Sequence, residues 1–354
     1  MIRRPPRSTL SSSSAASDVY KRQIQSYLPA ANDYLLKAQP QGVPDWDPLS
    51  TFSIQPLGQG EYNMNFLVQQ GQSRWVLRFN TGSQIGLSMA DQIAYEFKTL
   101  QILMPAKVSP TPYFLDNSFQ YVPYGVFGMA YLPGERLDYQ RDNPDAARLM
   151  ARFHQLEIPD EMNHLIHEEK PLSLLYERCQ RMAQVYLDSE LADPAFKAYL
   201  REIFEWANQA RLREAYYVND PWHCIINTEV NNTNWIVNRK VGTLHLVDWE
   251  KPLWGDPSQD LSHFRVPTTT LWKTDYRMSE ADKAEMMAAY KSKLKDPHLQ
   301  DTIEERTRLR DPFNCLRGVS WCAMAWVQYR QNQHLLKNED TFRKLSMYVD
   351  PEFV

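Results

Sequence analysis

Cysteine is scarce in this chain: Cys179, Cys224, Cys315 and Cys322 are the four among 354 residues. They are too few and too scattered for a disulfide framework or a thiolate zinc site. A long apolar run is also missing, since no stretch of about 18 consecutive apolar residues exists to read as a membrane span. Nor is there an excess of positive charge. Lys and Arg number 39 against 43 Asp and Glu, giving a formal net charge of -4. A protein that grips nucleic acid through a broad basic face is normally far more positive. These absences leave a reduced, cytoplasmic-type enzyme or binding protein, with no nucleic-acid and no membrane partner expected. What is present in quantity is apolar and aromatic: 43% hydrophobic and 12% aromatic residues rule out wholesale disorder. The length allows one large domain or two lobes with cores of their own.

The chain divides by composition. Residues 1–23, MIRRPPRSTLSSSSAASDVYKRQ, are basic, Ser-rich and without apolar periodicity. No apolar h-region of a secretory signal is present. The stretch reads either as adapter-like or vector-like sequence foreign to the protein or as a targeting peptide, and it is set aside from the fold. Residues 24–51 form a lead-in. FSIQPL, MNFLVQQ and SRWVLRFN are β-prone runs separated by short glycine-containing turns, which predicts an antiparallel meander. Ser88 and Asp91 open a helix with Met89, Ile93, Phe97, Leu100 and Met104 on one face, ended by Pro105. TPYFLD and VFGMAYL follow as strands. Residues 52–132 therefore read as a small, mainly β lobe carrying one helix. Residues 133–354 read as a helical lobe: Asn143-Pro144 opens a helix, residues 172–187 and 193–214 are amphipathic, and CLRGVSWCAMAWVQYR is helical. One hairpin, NWIVN and TLHLVDW, interrupts it.

The informative stretch is Cys224 to Phe264. Glu229 precedes Asn234 by five residues at the start of a strand, and the hairpin returns Asp248 to the same end. Such a set can gather a base and oxygen ligands around a phosphate-bound magnesium. Phosphoryl transfer asks little more of a protein than that positioning and charge neutralisation.

These residues resemble the aminoglycoside phosphotransferase and choline kinase family, which has a protein-kinase-like fold. The family's catalytic loop has the form H-G-D-x-x-x-x-N, followed by a hairpin, an Asp in an I-D-[WF]-E sequence and then G-D-P-x-x-D. Here the counterparts are Asn227-Thr228-Glu229, Asn234, Leu246-Val247-Asp248-Trp249-Glu250 and Gly255-Asp256-Pro257-Ser258-Gln259-Asp260. The resemblance covers roughly residues 52–335. It implies an α+β, bilobal fold: a small antiparallel β lobe for nucleotide, and a larger helical lobe with the catalytic hairpin. It further implies a kinase that moves the ATP γ-phosphoryl group to the hydroxyl of an aminoglycoside, an amino alcohol such as choline, or a sugar-like acceptor. ATP and Mg²⁺ would be the cofactors, with GTP left open as the nucleotide. Glu229 would be the base, and Asn234 and Asp248 the metal ligands and partners in catalysis. Gly58, Gly60 and Asn63 would form the nucleotide loop, whose backbone N–H groups approach phosphates. Arg78 would be aimed at the phosphates by Glu96, and the segment holding Met129 and Tyr131 would be the hinge for the base. Oligomeric state is not implied.

The departures bear on function. The family's His, Gly and Asp are Asn227, Thr228 and Glu229 here, and Glu is one methylene longer than Asp. An acting base must lie within roughly 2.6–3.2 Å of its proton, so the backbone has to compensate. The alternative is a nucleotide-binding module without phosphotransfer. Other residues have plainer readings. His154 is expected to be a buried structural histidine, with His223 a fallback base. Asp256 and Asp260 are expected to brace the loop, and Cys315 and Cys322 to fill core. Trp321, Trp326, Tyr329, Trp222, Trp254 and Trp272 are a large aromatic supply, which either fills the core or forms an acceptor cage through cation–π attraction.

Overall fold

Alternation along Ser73–Asn80 sets the architecture of the first lobe. Trp75, Leu77 and Phe79 are buried in one cluster with Tyr34, Leu35 and Phe66, while Val76 joins a different cluster with Ile93, Phe127 and Met129. A strand with both faces buried in this way lies inside a sheet, and the period of two puts Arg78 on the same side as Val76. The computed structural model describes residues 24–60, 62–331 and 339–350. The expectation for residues 1–23 therefore lies outside the described residues, as does Glu61 in the first glycine turn.

Helix α1 (Leu28–Ala38) packs over one face of a five-stranded antiparallel sheet. The strands are β1 (Ser53–Gln59), β2 (Asn63–Gln70), β3 (Ser73–Asn80), β4 (Pro112–Asp116) and β5 (Gly125–Ala130), in the order β1-β2-β3-β5-β4. Between β3 and β4, α2 (Met89–Leu103) is capped by Ser88, whose hydroxyl accepts the Asp91 N–H at 3.2 Å. Its buried stripe is Ile93, Glu96, Phe97, Leu100 and Leu103. Met89 and Met104, expected on that face, are exposed at the helix ends.

The chain leaves β5 through Tyr131 to Glu135 and at once pairs with the other lobe. Glu135 and Val237 exchange backbone hydrogen bonds at 3.0 and 2.8 Å. A Cβ on Gly134 would stand 2.6 Å from Ile236 and 2.7 Å from the Val237 carbonyl, so only glycine lets the connection lie against that hairpin. Helix α3 (Tyr139–Phe153) starts one turn earlier than Asn143-Pro144 suggests. Asp138 caps it through the Gln140 N–H, so Pro144 lies inside the helix, where it contributes no N–H to the ladder.

The remaining elements are α4 (Pro171–Asp188), α5 (Pro194–Ala210), α6 (Ala215–Asn219), β6 (Cys224–Ile226), β7 (Trp235–Asn238), β8 (Thr243–Leu246), β9 (Leu253–Gly255), α7 (Ser258–Arg265), α8 (Pro267–Lys273), α9 (Glu280–Lys291), α10 (Pro297–Arg330) and α11 (Glu339–Tyr348). β7 and β8 form the expected hairpin, and β6 pairs with β9. The stretch CLRGVSWCAMAWVQYR is the second half of a 34-residue helix. One core runs from Val76 and Ile93 through Phe153 and Trp249 to Leu299 and Ile303, joining the two lobes behind the cleft. A second core packs α4 and α5 on α10. No helix among the described residues is long and apolar enough to cross a membrane.

Candidate active site

The loop after β6 is built around a buried carboxylate. Asp260, at the start of α7, accepts the backbone N–H groups of Asn227 at 2.7 Å and Thr228 at 2.8 Å. His154 contacts the same carboxylate at 3.3 Å and the Tyr290 hydroxyl at 2.9 Å, with neither side exposed to solvent. Asn227 then ties the loop to the segment after the hairpin: its Oδ1 accepts the Glu229 N–H (3.0 Å) and its Nδ2 donates to the Asp248 carbonyl (3.2 Å). Thr228 and Asp248 both adopt left-handed backbone, with φ of 71° and 64°. For residues with a Cβ this costs about 1–3 kcal/mol each and persists only where surrounding bonds over-determine it. Here the loop is over-determined by Asp260 and Asn227, and by the Thr228 hydroxyl donating to the Lys251 carbonyl at 3.1 Å.

Around Arg78 the charges are out of balance. The guanidinium is buried and lies 3.2 Å from Glu96, 3.1 Å from Asp248 and 3.9 Å from Glu250. Three carboxylates thus share one cation. Burial, with Asp248 and Glu250 nearby, pushes the Glu96 carboxyl up to about 8 although Arg78 opposes the shift. Burial and Asp248 likewise raise Glu250 to about 7. Glu250 is held by the amides of Asn63 and Gln84, and its backbone carbonyl accepts the Gln92 amide at 2.6 Å. Asp248 is the most open of the set, with 33% of its side chain exposed.

Ligand oxygens of Glu229, Asp248 and Glu250 lie within 4.8 Å of one another. A hard divalent cation prefers such an all-oxygen, carboxylate-rich set, and it would relieve the crowding that raises Glu250. The residues present fit Mg²⁺.

Glu229 has the opposite environment. Burial alone would raise it, but Lys251 at 2.6 Å and Arg317 at 2.9 Å outweigh that and hold it down to about 2. It is ionised and fixed at neutral pH.

A pH dependence follows from Glu96. In the unfolded chain it loses its proton near the usual Glu value of about 4.3. In the folded chain it keeps that proton to about pH 8. The folded state therefore binds more protons in this window. The contribution to stability is full below the unfolded value and is lost as pH rises through the folded one. In metal-free denaturant titrations the parent chain should lose stability relative to Glu96→Gln between pH 5 and 8. A difference that stays constant across that range would contradict the assignment.

Two cavities meet at this chemistry. One, about 690 Å³, lies under the sheet and is lined by Gly58, Gly60, Asn63, Arg78, Met129, Tyr131, Glu229, Asn234, Asp248 and Glu250. The other, about 700 Å³, lies in the helical lobe between α4, α8 and α10. Both have the size of small-molecule sites. Glu229 and Gln84 line both.

Comparison with known proteins gives the class. The model of the "Phosphotransferase enzyme family" matches residues 53–297. The chain belongs to this family. No curated relative matches it in sequence. Among solved structures, ethanolamine kinase of Plasmodium vivax superposes with a TM-score of 0.61 at 13% identity, over 95% of this chain and 96% of that one. Choline kinase of Cryptosporidium parvum gives 0.59 at 11%, over 88% and 96%. A spectinomycin phosphotransferase solved with ADP and spectinomycin gives 0.56 at 12%, over 84% and 89%. At such identities the likeness shows the fold, which is the protein-kinase-like one expected. The family makes this chain a phosphotransferase.

Within that family frame, the structure brings together most residues singled out in sequence. Nine of them line the sheet-side cleft, and Glu96 stands buried behind Arg78. The Gly60 N–H is bonded to the Asn63 carbonyl at 2.8 Å and so is engaged within the turn itself. Asn63 reaches Glu250. Along the hinge, the Ala130 N–H is taken by the Thr111 carbonyl at 2.8 Å. Asn234 donates its amide to the Glu229 carbonyl at 2.9 Å, and its backbone carbonyl accepts the Val247 N–H at 2.8 Å.

His223 lies 3.1 Å from His167 in a separate cavity away from Glu229 and is no substitute for it. The six aromatics do not form one cage, although Trp272, Trp326 and Tyr329 pack on one cluster with Cys322, Leu345 and Tyr348. Trp272 and Trp321 line the second cavity, Trp222 lines the one beside His223, and Trp254 packs on the core. Trp326 and Tyr329 stack on Phe342.

Glu250, Lys251, Arg317 and Gln84 were not singled out. Asp-x-Glu was a readable signal for Glu250, since it places a second carboxylate two residues beyond the presumed metal ligand Asp248. Nothing local pointed to Arg317, which comes from α10, 88 residues beyond the glutamate it holds.

Proposed function

We propose that the chain transfers the γ-phosphoryl group of ATP to an acceptor hydroxyl, with nucleotide in the sheet-side cleft and acceptor in the cavity of the helical lobe. The observation that carries this reading is the position of Glu229. Its carboxylate lines both cavities and sits within 4.8 Å of the Asp248 and Glu250 oxygens.

Arg78, buttressed by Glu96, would face the phosphates as a fixed cation. Asp248 and Glu250, with Asn234, would hold Mg²⁺, which when bound neutralises phosphate charge. Glu229 would orient the acceptor hydroxyl and receive its proton. The acceptor oxygen forms a bond to the γ-phosphorus as the bridging oxygen leaves with ADP. A carboxylate held near 2 is a weak base, yet a loose phosphoryl-transfer transition state asks chiefly for alignment. Lys251 and Arg317 supply that alignment by pinning the longer Glu side chain.

A thermal-shift series with ATP, with and without Mg²⁺, and ADP release across acceptors test the reading. Ligand at 100 times its dissociation constant adds about 2.7 kcal/mol, a shift of a few degrees. A Mg²⁺-dependent shift together with acceptor-dependent ADP release supports transfer. A shift without ADP release from any acceptor supports a nucleotide-binding role, and the absence of both removes the assignment.

A further inference from the structure

The cavity of the helical lobe has an excess of positive charge. Arg178, Arg181, Lys251 and Arg317 line it, against Glu229 as the lone carboxylate among its lining residues. Lys251 and Arg317 are both spent on Glu229. Arg178 and Arg181 make no ion pair among the described residues. They stand one turn apart on α4 and so project from one face. Across the cavity, α10 presents Arg317 and Trp321 four residues apart.

Glu168 attracts Arg178 at long range, but its carboxylate is engaged by Arg310. Burial, together with Arg317, holds His263 down to about 3, so at neutral pH it adds no charge of either sign. Arg178 and Arg181 are both solvent-exposed, so an anion entering the cavity can reach them.

Building on the phosphotransferase reading above, we infer that the acceptor is a hydroxyl compound carrying an oxyanion, a carboxylate or a phosphate group, held by Arg178 and Arg181. Its less polar part lies against Trp272 and Trp321, whose rings meet edge to face at 5.2 Å. Arginine suits this role because its planar fork binds carboxylate or phosphate through two parallel hydrogen bonds. The same four cations oppose a quaternary ammonium or a polycationic aminoglycoside, so the cavity is built against a cationic acceptor. Transfer leaves the original anion in place and adds a phosphate ester; the hydroxyl proton passes to Glu229 and the electron pair of the broken P–O bond leaves on ADP.

Two measurements test this. In the first, the nucleotide cleft is filled with Mg·AMP-PNP and inorganic phosphate is titrated in a thermal-shift assay. The melting temperature should rise by a few degrees, and Arg178→Ala/Arg181→Ala should lose that phosphate shift while retaining the Mg·AMP-PNP shift. In the second, ADP release is followed with glucose 6-phosphate and gluconate, which separate phosphate from carboxylate, beside glucose, choline and kanamycin. An anionic acceptor should turn over. Each single arginine variant should raise its KM by about tenfold, the worth of one charge-assisted contact, with kcat changed far less, and added salt should raise KM further.

No phosphate shift, or a shift that survives in the double variant, overturns the inference, as does ADP release with choline or kanamycin and none with the anions. Failure of Mg·AMP-PNP itself to shift the melting temperature would count against the phosphotransferase reading instead, and the phosphate titration would still report on the cavity.

Discussion

Asp248→Ala should lower Mg·ATP-dependent turnover by on the order of 10³-fold, equivalent to the several kcal/mol that a bound metal contributes to phosphoryl transfer. The same variant should lose the Mg²⁺-dependent part of nucleotide binding. Asp248 is the most solvent-open member of the Glu229–Asp248–Glu250 set and sits in the sheet-side cleft. Its removal leaves Glu250 in its amide cage but takes away the carboxylate that faces the cavity. Alanine at φ 64° adds backbone strain. Asp248→Asn is therefore the better second variant, since Asn tolerates the left-handed region while losing the charge. Both should be assayed by ADP release and by thermal shift with and without Mg²⁺. Retention of more than about a tenth of parent turnover in Asp248→Asn, at unchanged Mg²⁺ dependence, would refute the metal role.

Glu229→Gln should cut kcat by roughly 10²- to 10⁴-fold, the range for losing a positioned proton acceptor. Nucleotide affinity should change little, because Glu229 contacts Lys251 and Arg317 rather than Arg78. Glu229→Asp is equally informative. The shorter side chain cannot keep the 2.6 Å contact to Lys251 and the 2.9 Å contact to Arg317 without moving the loop, and the loop is held by Asp260 on two backbone N–H groups. We therefore expect Glu229→Asp to lose most of the activity as well, even though it restores the residue more usual in the family. Full activity in Glu229→Asp would mean that Lys251 and Arg317 do not align this side chain. Equal loss of nucleotide binding and turnover in Glu229→Gln would place its effect in the cleft rather than in the transfer step.

The alternation of Trp75, Leu77 and Phe79 with Val76 and Arg78, the Ser88 cap and the ordered run from Asn227 to Asp260 are local patterns, and they determined the sheet, the helix beside it and the family. The loop's charges are not local. Glu229 is held by Lys251 from beyond the hairpin and Arg317 from α10, while Arg78 on β3 meets Glu96 from α2 and Asp248 and Glu250 from the segment after the hairpin. Packing decided these encounters, and with them the raised Glu96 and Glu250 and the depressed Glu229, because burial and neighbouring charge set a carboxyl's proton affinity. Packing also kept the six aromatics from forming the one cage that sequence alone leaves open, and it lined the second cavity with α4 arginines that no motif marks. The sequence by itself determined what class of chemistry the loop serves; the tertiary structure decided which side chains hold it and the sign of the charge that faces the acceptor.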